Sequence, residues 1–232
     1  MKVLIIIPAY NEEKNIEKTV NDVVKNTPYD YVVVNDCSKD KTLEVCQKNG
    51  YNLLSLPVNY GLTSVVQLGM KYAYQNDYDV AIQFDGDGQH QAKYLKDLVK
   101  EIEEGNADIA IGSRFVEKKK SFSMRMLGNR LISLAIRITT FKKIKDSTSG
   151  MRAYDRQAIK AFVTDASLTP EPDTLVYMLK KNMTIKEVQV EMKEREFGES
   201  YLSPLKSAKY MANVFFSIFL IRNLTRKKKE RK

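Results

Sequence analysis

The chain has 232 residues, 43% hydrophobic and 29% charged, enough for one substantial core of ordinary globular composition and too balanced for a disordered or fibrous protein. Two cysteines, Cys37 and Cys46, exclude a disulfide-built scaffold and read as packing thiols in a reducing compartment. The net charge of +9 is concentrated: residues 117–145 carry nine Lys/Arg against Glu117 alone, residues 205–232 carry nine against Glu230 alone, and the rest of the chain is mildly acidic.

Lys2 to Ile7 is a continuous apolar run of strand formers, the pattern of a parallel strand buried on both faces, and Pro8 stops it. Asn11 is placed to cap a helix whose apolar positions Ile16, Val20, Val23 and Val24 follow helical spacing, with Glu12 and Glu13 near its positive end. The cycle repeats with a strand at Tyr31–Val34, a turn at Asn35–Ser38 and a helix from Asp40 to Lys48. Next come a strand at Leu53–Leu56, a helix from Leu62 to Gln75, a strand at Val80–Phe84, a helix through Leu95, Leu98, Val99 and Ile102, and a strand at Ile109–Ile111. Such alternation predicts an α/β fold around a mostly parallel sheet. No stretch approaches the roughly 20 apolar residues of a membrane span; the best, Met211 to Ile221, is interrupted by Asn213 and Ser217, so the chain is expected not to cross a bilayer.

In parallel α/β sheets ligands bind beyond the carboxyl ends of the strands. Tyr10, Asn11 and Glu12 follow the first strand, Asp36 the second, Asn59 the third, Asp85 and Asp87 the fourth, and Ser113 and Arg114 the fifth. Asp85-Gly86-Asp87 places two carboxylates at i and i+2, able to point the same way in extended backbone, with glycines that leave room for a ligand. That pattern suits a hard cation such as Mg²⁺ or Mn²⁺, held by one or two carboxylates and substrate phosphates. A solvated turn gives the same letters, and so does the start of a phosphatase built on an aspartate nucleophile, although Gln89 stands where that class has a hydroxyl or β-branched residue. An EF-hand loop fails, because its twelfth position is Lys96. Neither a dinucleotide-binding glycine fingerprint nor a P-loop follows the first strand, which argues against a dehydrogenase or a P-loop enzyme.

Taken together, Pro8-Ala9-Tyr10-Asn11-Glu12, Val34-Asn35-Asp36-Cys37-Ser38, Asn59-Tyr60-Gly61, Asp85-Gly86-Asp87-Gly88-Gln89-His90 and Gly112-Ser113-Arg114-Phe115 resemble, in order and spacing, the family 2 glycosyltransferases of GT-A fold. Asp146-Ser147-Thr148-Ser149-Gly150-Met151-Arg152 and Arg195-Glu196-Phe197-Gly198-Glu199-Ser200 extend the resemblance to the dolichyl-phosphate mannose synthase-like, polyprenyl-phosphate branch, over roughly residues 2–202. Departures are Asn35 for the first of two aspartates, Thr63 for a frequent glycine and Tyr201 for a lysine. The resemblance implies a nucleotide-sugar pocket of Pro8, Tyr10, Glu12, Asp36, Asp85 and Asp87. It implies Mg²⁺ or Mn²⁺ on Asp87 and Gln89 with Asp85 on the donor side, Arg114 and Arg195 facing phosphates, and Arg125 and Ser200 toward an acceptor phosphate.

On this reading residues 1–203 form the transferase domain, with 118–145 as a basic segment facing acceptor or membrane, and 204–232 form an interfacial helix and basic tail. The reaction expected is inverting transfer from a UDP- or GDP-sugar. With a polyprenyl phosphate as acceptor, the nucleophile is already anionic and arginines suffice to orient it. A glycan hydroxyl needs a carboxylate base instead, for which Asp173 is the candidate, with a helix N-cap or first-turn role equally open. His90 reads as a loop or supporting residue. Met124, Leu127, Leu131, Leu134, Ala135 and Ile138 recur at helical spacing between arginines, and 211–220 is apolar around most of a helix before a basic cluster. Both read as interfacial, on an anionic membrane surface at the cytoplasmic face of the plasma membrane; core packing for the first and a homo-oligomer contact for the second stay open. The rival of another class is a non-catalytic basic protein binding membrane or nucleic acid; the intact acidic pair counts against it, and no nucleic-acid partner is expected.

Overall fold

The computed structural model describes residues 1–117, 124–193 and 211–219. Within them a seven-stranded sheet has the order β3-β2-β1-β4-β6-β5-β7. The first half builds outward from β1 (Val3–Ala9): α1 (Ile16–Asn26) leads to β2 (Asp30–Asn35), and α2 (Thr42–Lys48) to the short β3 (Leu53–Ser55). Then α3 (Leu62–Gln75) carries the chain back across β1 to β4 (Val80–Gln83) on its other side. All these pairings are parallel. Sequence order reverses at β1, which opens a crevice at the carboxyl ends of β1 and β4 where parallel sheets bind ligands.

The second half is mixed. After α4 (Leu95–Glu103) and β5 (Ile109–Ser113), α5 (Met124–Thr140) precedes β6 (Arg152–Asp155), which enters between β4 and β5, antiparallel to both. This reversal brings the loop leading into β6 to the carboxyl ends of β4 and β5. Helices α6 (Arg156–Thr164) and α7 (Pro172–Lys180) follow, and β7 (Ile185–Gln189) adds a parallel edge to β5.

One face of the sheet packs α3, α6, part of α5 and α7 around Val65, Met70, Ile132, Ile136, Ile159 and Leu175. The opposite face packs α1 and α4 around Ile16, Val20, Val23, Leu95, Leu98 and Ile102. Strand β1 supplies Leu4 and Ile6 to the first layer and Val3, Ile5 and Ile7 to the second, which explains its unbroken apolar run. Cys37 and Cys46 are free thiols; burial pushes the Cys46 thiol up to about 11, so it packs as an uncharged residue.

One local expectation is corrected, and one alternative left open by the sequence is narrowed. Asn11 does not cap α1: it sits at φ 57, its side-chain oxygen accepts from Lys39 N–H, and the helix begins after Asn15. The amphipathic stripe of α5 is divided, because Ile132, Ala135 and Ile136 are buried whereas Leu127, Leu131, Leu134 and Ile138 are 45–51% exposed. No helix among the described residues is long and apolar enough to cross a membrane. The 211–219 helix packs Val214 and Ile218 into the core and leaves Phe216 exposed. Residues 118–123, 194–210 and 220–232 lie outside the described residues, and with them most of the expected basic tail and the boundary at 203–204.

Candidate functional site

The exits of β1, β2 and β4 are stitched to one another by main-chain bonds. Asp36 N–H donates to Ala9 O, Phe84 N–H to Ile6 O, and Gly86 N–H to Pro8 O. Pro8, near the end of β1, and Tyr10, Glu12, Asp36, Asp85, Asp87 and Gln89, beyond the strand ends, therefore stand along one rim, because the strands are in register with one another.

Each carboxylate on this rim is oriented by its surroundings. Asp36 is 3% exposed, and its two oxygens accept the N–H groups of Tyr60 and Gly61 at 2.8 Å each, while Asn59 donates to its carbonyl. Two backbone donors compensate the buried charge and fix the Asn59-Tyr60-Gly61 loop against β2. Neighbouring Asn35 takes Ser38 on its oxygen and donates to Ser55, so the amide does structural work at a position where an aspartate was the commoner expectation. Glu12 is buried; Asn15 donates to its Oε2 at 2.6 Å, and its own N–H donates to Thr42 Oγ1.

The acidic turn after β4 is held from three sides. Gln83 Nε2 donates to Asp85 Oδ1, and the Asp85 N–H donates to His90 Nδ1, so the buried His90 ring braces the loop. Thr19 of α1 donates to Gly86 O. Gly88 adopts φ +73, which lets the Gln89 N–H turn back onto Asp87 Oδ1. On the outer side Lys193 N–H donates to Gln89 O, and Gln91 Nε2 to Glu191 O, tying the turn to the exit of β7. Gly150, in the loop entering β6, stands so close that a Cβ there would collide with the Asp85 carboxylate.

Arg114 lies two strands away, at the end of β5. Its Nε and Nη2 donate to the two oxygens of Asp146 at 2.8 Å, and its main-chain N–H to Oδ2. Asp146 also takes Asn129 Nδ2, and its N–H donates to Glu187. Burial alone would raise the Asp146 pKa, but the Arg114 hydrogen bonds and charge outweigh it and hold the carboxyl below its ordinary value. Arg152 is 1% exposed and donates to the carbonyls of Ser147, Ser149 and Pro170, so it shapes the loop that carries Gly150. Asp173 is in the first turn of α7, where its Oδ1 accepts the Thr174 N–H and its Oδ2 accepts Ser217 Oγ at 2.6 Å. Arg195 and Ser200 lie outside the described residues, as does the side chain of Arg125.

Sequence reasoning gave no role at the site to Gln83, Thr19, Gly150 or Asp146, although Asp146 and Gly150 stood in a recognised motif. Gln83 had a signal: it is a polar residue inside an otherwise apolar strand. Among the described residues no three His, Cys, Asp or Glu side chains form a ready cation cage. The donors at the Asp85–Gln89 turn are nonetheless all oxygen, and two carboxylates plus a phosphate-bearing ligand make a set that a hard cation accepts.

A family model described as glycosyl transferase family 2 matches residues 4–163. The chain is 30% identical over 206–216 aligned residues to two proteins, one from Methanocaldococcus jannaschii and the other an undecaprenyl-phosphate mannosyltransferase of Micrococcus luteus. The latter match covers 88% of each chain. A UDP-N-acetylglucosamine--dolichyl-phosphate N-acetylglucosaminyltransferase of Methanococcus voltae is 28% identical over 179 residues, covering 68% of this chain and 71% of that one. Among solved structures, glucosyl-3-phosphoglycerate synthase from Mycobacterium tuberculosis with Mn²⁺ and UDP-glucose shares the fold at TM-score 0.67 and 15% identity, covering 95% of this chain and 78% of that one.

Proposed function

Because this chain belongs to glycosyl transferase family 2 and is a glycosyltransferase of GT-A fold, we propose that it moves a sugar, with inversion, from a UDP- or GDP-sugar to a polyprenyl phosphate. The observation that carries this reading is the braced Asp85–Gln89 turn at the β1–β4 crevice, opposite the buried Asp36 rim. Relatives named for transfer to undecaprenyl and dolichyl phosphates support the acceptor class.

In this scheme Pro8, Tyr10 and Glu12 line the nucleotide pocket. Asp36 has already given one lone pair of each oxygen to the Tyr60–Gly61 backbone and offers the remainder to a base N–H. Asp87 and Gln89, with Asp85 toward the donor, would hold Mg²⁺ or Mn²⁺, which supplies Lewis acidity to the departing diphosphate. Gln83 and His90 keep Asp85 aimed at the crevice. Arg114 and Arg195, with Arg125 and Ser200, would orient phosphates, Arg114 from a guanidinium whose plane is set by its fork on Asp146. A phosphate acceptor needs no strong base, and that fits Asp173, whose two oxygens are engaged by Thr174 and Ser217. The two basic segments support a peripheral position on the cytoplasmic face of the plasma membrane.

The test is incubation with a panel of radiolabelled sugar nucleotides, Mn²⁺ and undecaprenyl phosphate, followed by extraction into organic solvent. Label in the lipid phase is the expected result. Label confined to a water-soluble glycan would move the acceptor to a hydroxyl, and transfer from no donor would overturn the reading.

A further inference from the structure

Strand β7 lies at the edge of the sheet beside β5, and two of its side chains bond to loops outside the sheet. Glu187 and Gln189 stand at i and i+2, on one face of the strand, in register with Ile111 and Ser113 of β5. Glu187 takes the Lys145 N–H on one carboxylate oxygen and the Asp146 N–H on the other, at 2.7 Å each. Gln189 takes the Glu117 N–H on its oxygen at 2.9 Å and donates from Nε2 to the carbonyl of Arg114. Lys145 bridges the two loops, with Nζ donating to Val116 O at 2.6 Å.

The two segments held in this way carry the two members of the Arg114–Asp146 fork. Glu187 fixes the backbone beneath the acid and Gln189 the backbone beneath the base, so one strand face sets where the fork stands. Loop N–H groups need acceptors as much as helical ones do. A carboxylate meets two of them with charge-assisted bonds, whereas an amide in its place offers one oxygen for the two.

The exit of the same strand is tied to the acidic turn, through Lys193 N–H on Gln89 O and Gln91 Nε2 on Glu191 O. Strand β7 therefore bonds to the fork at one point and to the turn at another, and a strand is stiff between them. Arg114 spends Nε and Nη2 on Asp146, and its side chain is still 22% exposed, which leaves its outer N–H groups for an anion.

We propose that Glu187 and Gln189 are positioning residues for transfer: from the edge strand they hold the Arg114 guanidinium at a set distance from the Asp85–Gln89 turn, so that one phosphate-bearing ligand can meet both. Neither touches the ligand; both act through Arg114. The inference rests on the phosphate-orienting role proposed above for Arg114 and names what places it.

Kinetics of the full chain test this. Glu187→Gln leaves one oxygen for two N–H groups, and Gln189→Met removes the other hold while keeping the bulk. Each should lower kcat/KM about tenfold to a hundredfold, as misplacement by about an ångström does, and Glu187→Asp should recover part of the first loss. In an Arg114→Lys background the same two substitutions should cost less than about twofold, because a residue acting through Arg114 has no fork left to place. Losses as large there as in the parent would show a general effect on the fold and overturn the proposal.

A second measurement needs no turnover. Hydrogen exchange at the Arg114 Nε–H, followed by nuclear magnetic resonance, should quicken about tenfold in Glu187→Gln while the amides of β1 and β4 exchange as in the parent. Unchanged exchange at Arg114 would overturn the placement, and quickened exchange with an unchanged kcat/KM would overturn its role in transfer. If Glu187→Gln does not fold, Gln189→Met carries both measurements. If the parent transfers sugar from no donor, the transferase reading falls, and exchange at Arg114 still decides whether β7 places it.

Discussion

Gly150 and Asp85, 65 positions apart in sequence, are in van der Waals contact across the end of the sheet, and the side of Gly150 that any other residue would fill is occupied by the Asp85 carboxylate. Gly150→Ala should push that carboxylate out of its bonds with Gln83 while leaving the core layers intact. The expected loss is about a hundredfold in kcat/KM, with a matching loss of donor affinity by calorimetry and a melting temperature near that of the parent. Unchanged donor affinity would show that Asp85 does not face the donor.

Asp87→Ala should cost more Mn²⁺ affinity than the roughly 10–100-fold that follows loss of a supporting group around a metal. Electron paramagnetic resonance of free Mn²⁺ reads this without turnover, and near-normal turnover would remove Asp87 from the metal site.

At Asp36 the neutral amide of Asp36→Asn would face two N–H groups with only one acceptor oxygen. Both donor affinity and the order of the Asn59–Gly61 loop should suffer, whereas the maximal rate at saturating donor should fall less. An apparent donor affinity equal to the parent's would argue against a base contact there.

The Arg114–Asp146 fork makes a pH prediction. The Asp146 pKa is lowered in the folded protein relative to 3.8, so folding favours its ionised form. The stabilisation is fully present above the ordinary carboxylate value and is lost as pH falls through the lower folded value. Asp146→Asn should therefore destabilise the protein by about 3 kcal/mol near neutrality, and the difference from the parent should narrow in acid denaturation below about pH 4.

Removing residues from 211 onward should destabilise the protein. It withdraws Val214 and Ile218 from the core and the Ser217 hydroxyl from Asp173. The expected cost is about 3–5 kcal/mol, or roughly 10 °C in melting temperature for a chain of this size. Asp173→Asn should leave turnover largely intact if the acceptor is a phosphate; abolished turnover with surviving donor binding would favour a hydroxyl acceptor.

The site was legible in the sequence where strand exits carry polar residues, because a parallel strand writes its boundaries as an apolar run that stops. The approximate extent of helix α3 was legible too, between a glycine before it and polar residues after it. The antiparallel β6 was not read as a strand, since its four residues, Arg152–Asp155, show neither an apolar run nor alternation, and its pairing partners are distant in sequence. Gly150 was seen as a motif letter without its reason, which only the long-range contact supplies. On α5 the periodic leucines were legible as a stripe, but periodicity does not say which way a stripe faces. Ile132 and Ile136 take the inward face, and the conspicuous leucines look outward.

The insertion of β6 between β4 and β5 also sets the order in which the protein becomes competent during synthesis. Strands β4 and β5 do not pair with each other, so a nascent chain that has reached Ser113 has a gap in its sheet and an Asp85 with no opposing wall. Closing the gap requires the loop through α5 to be complete, a connection whose entropy is spent before any of its contacts are gained. The wall beside the Asp85 carboxylate is thus completed late, and a truncated product ending at Ser113 would carry the acidic turn with its Thr19, Gln83 and His90 contacts but without Gly150 against it.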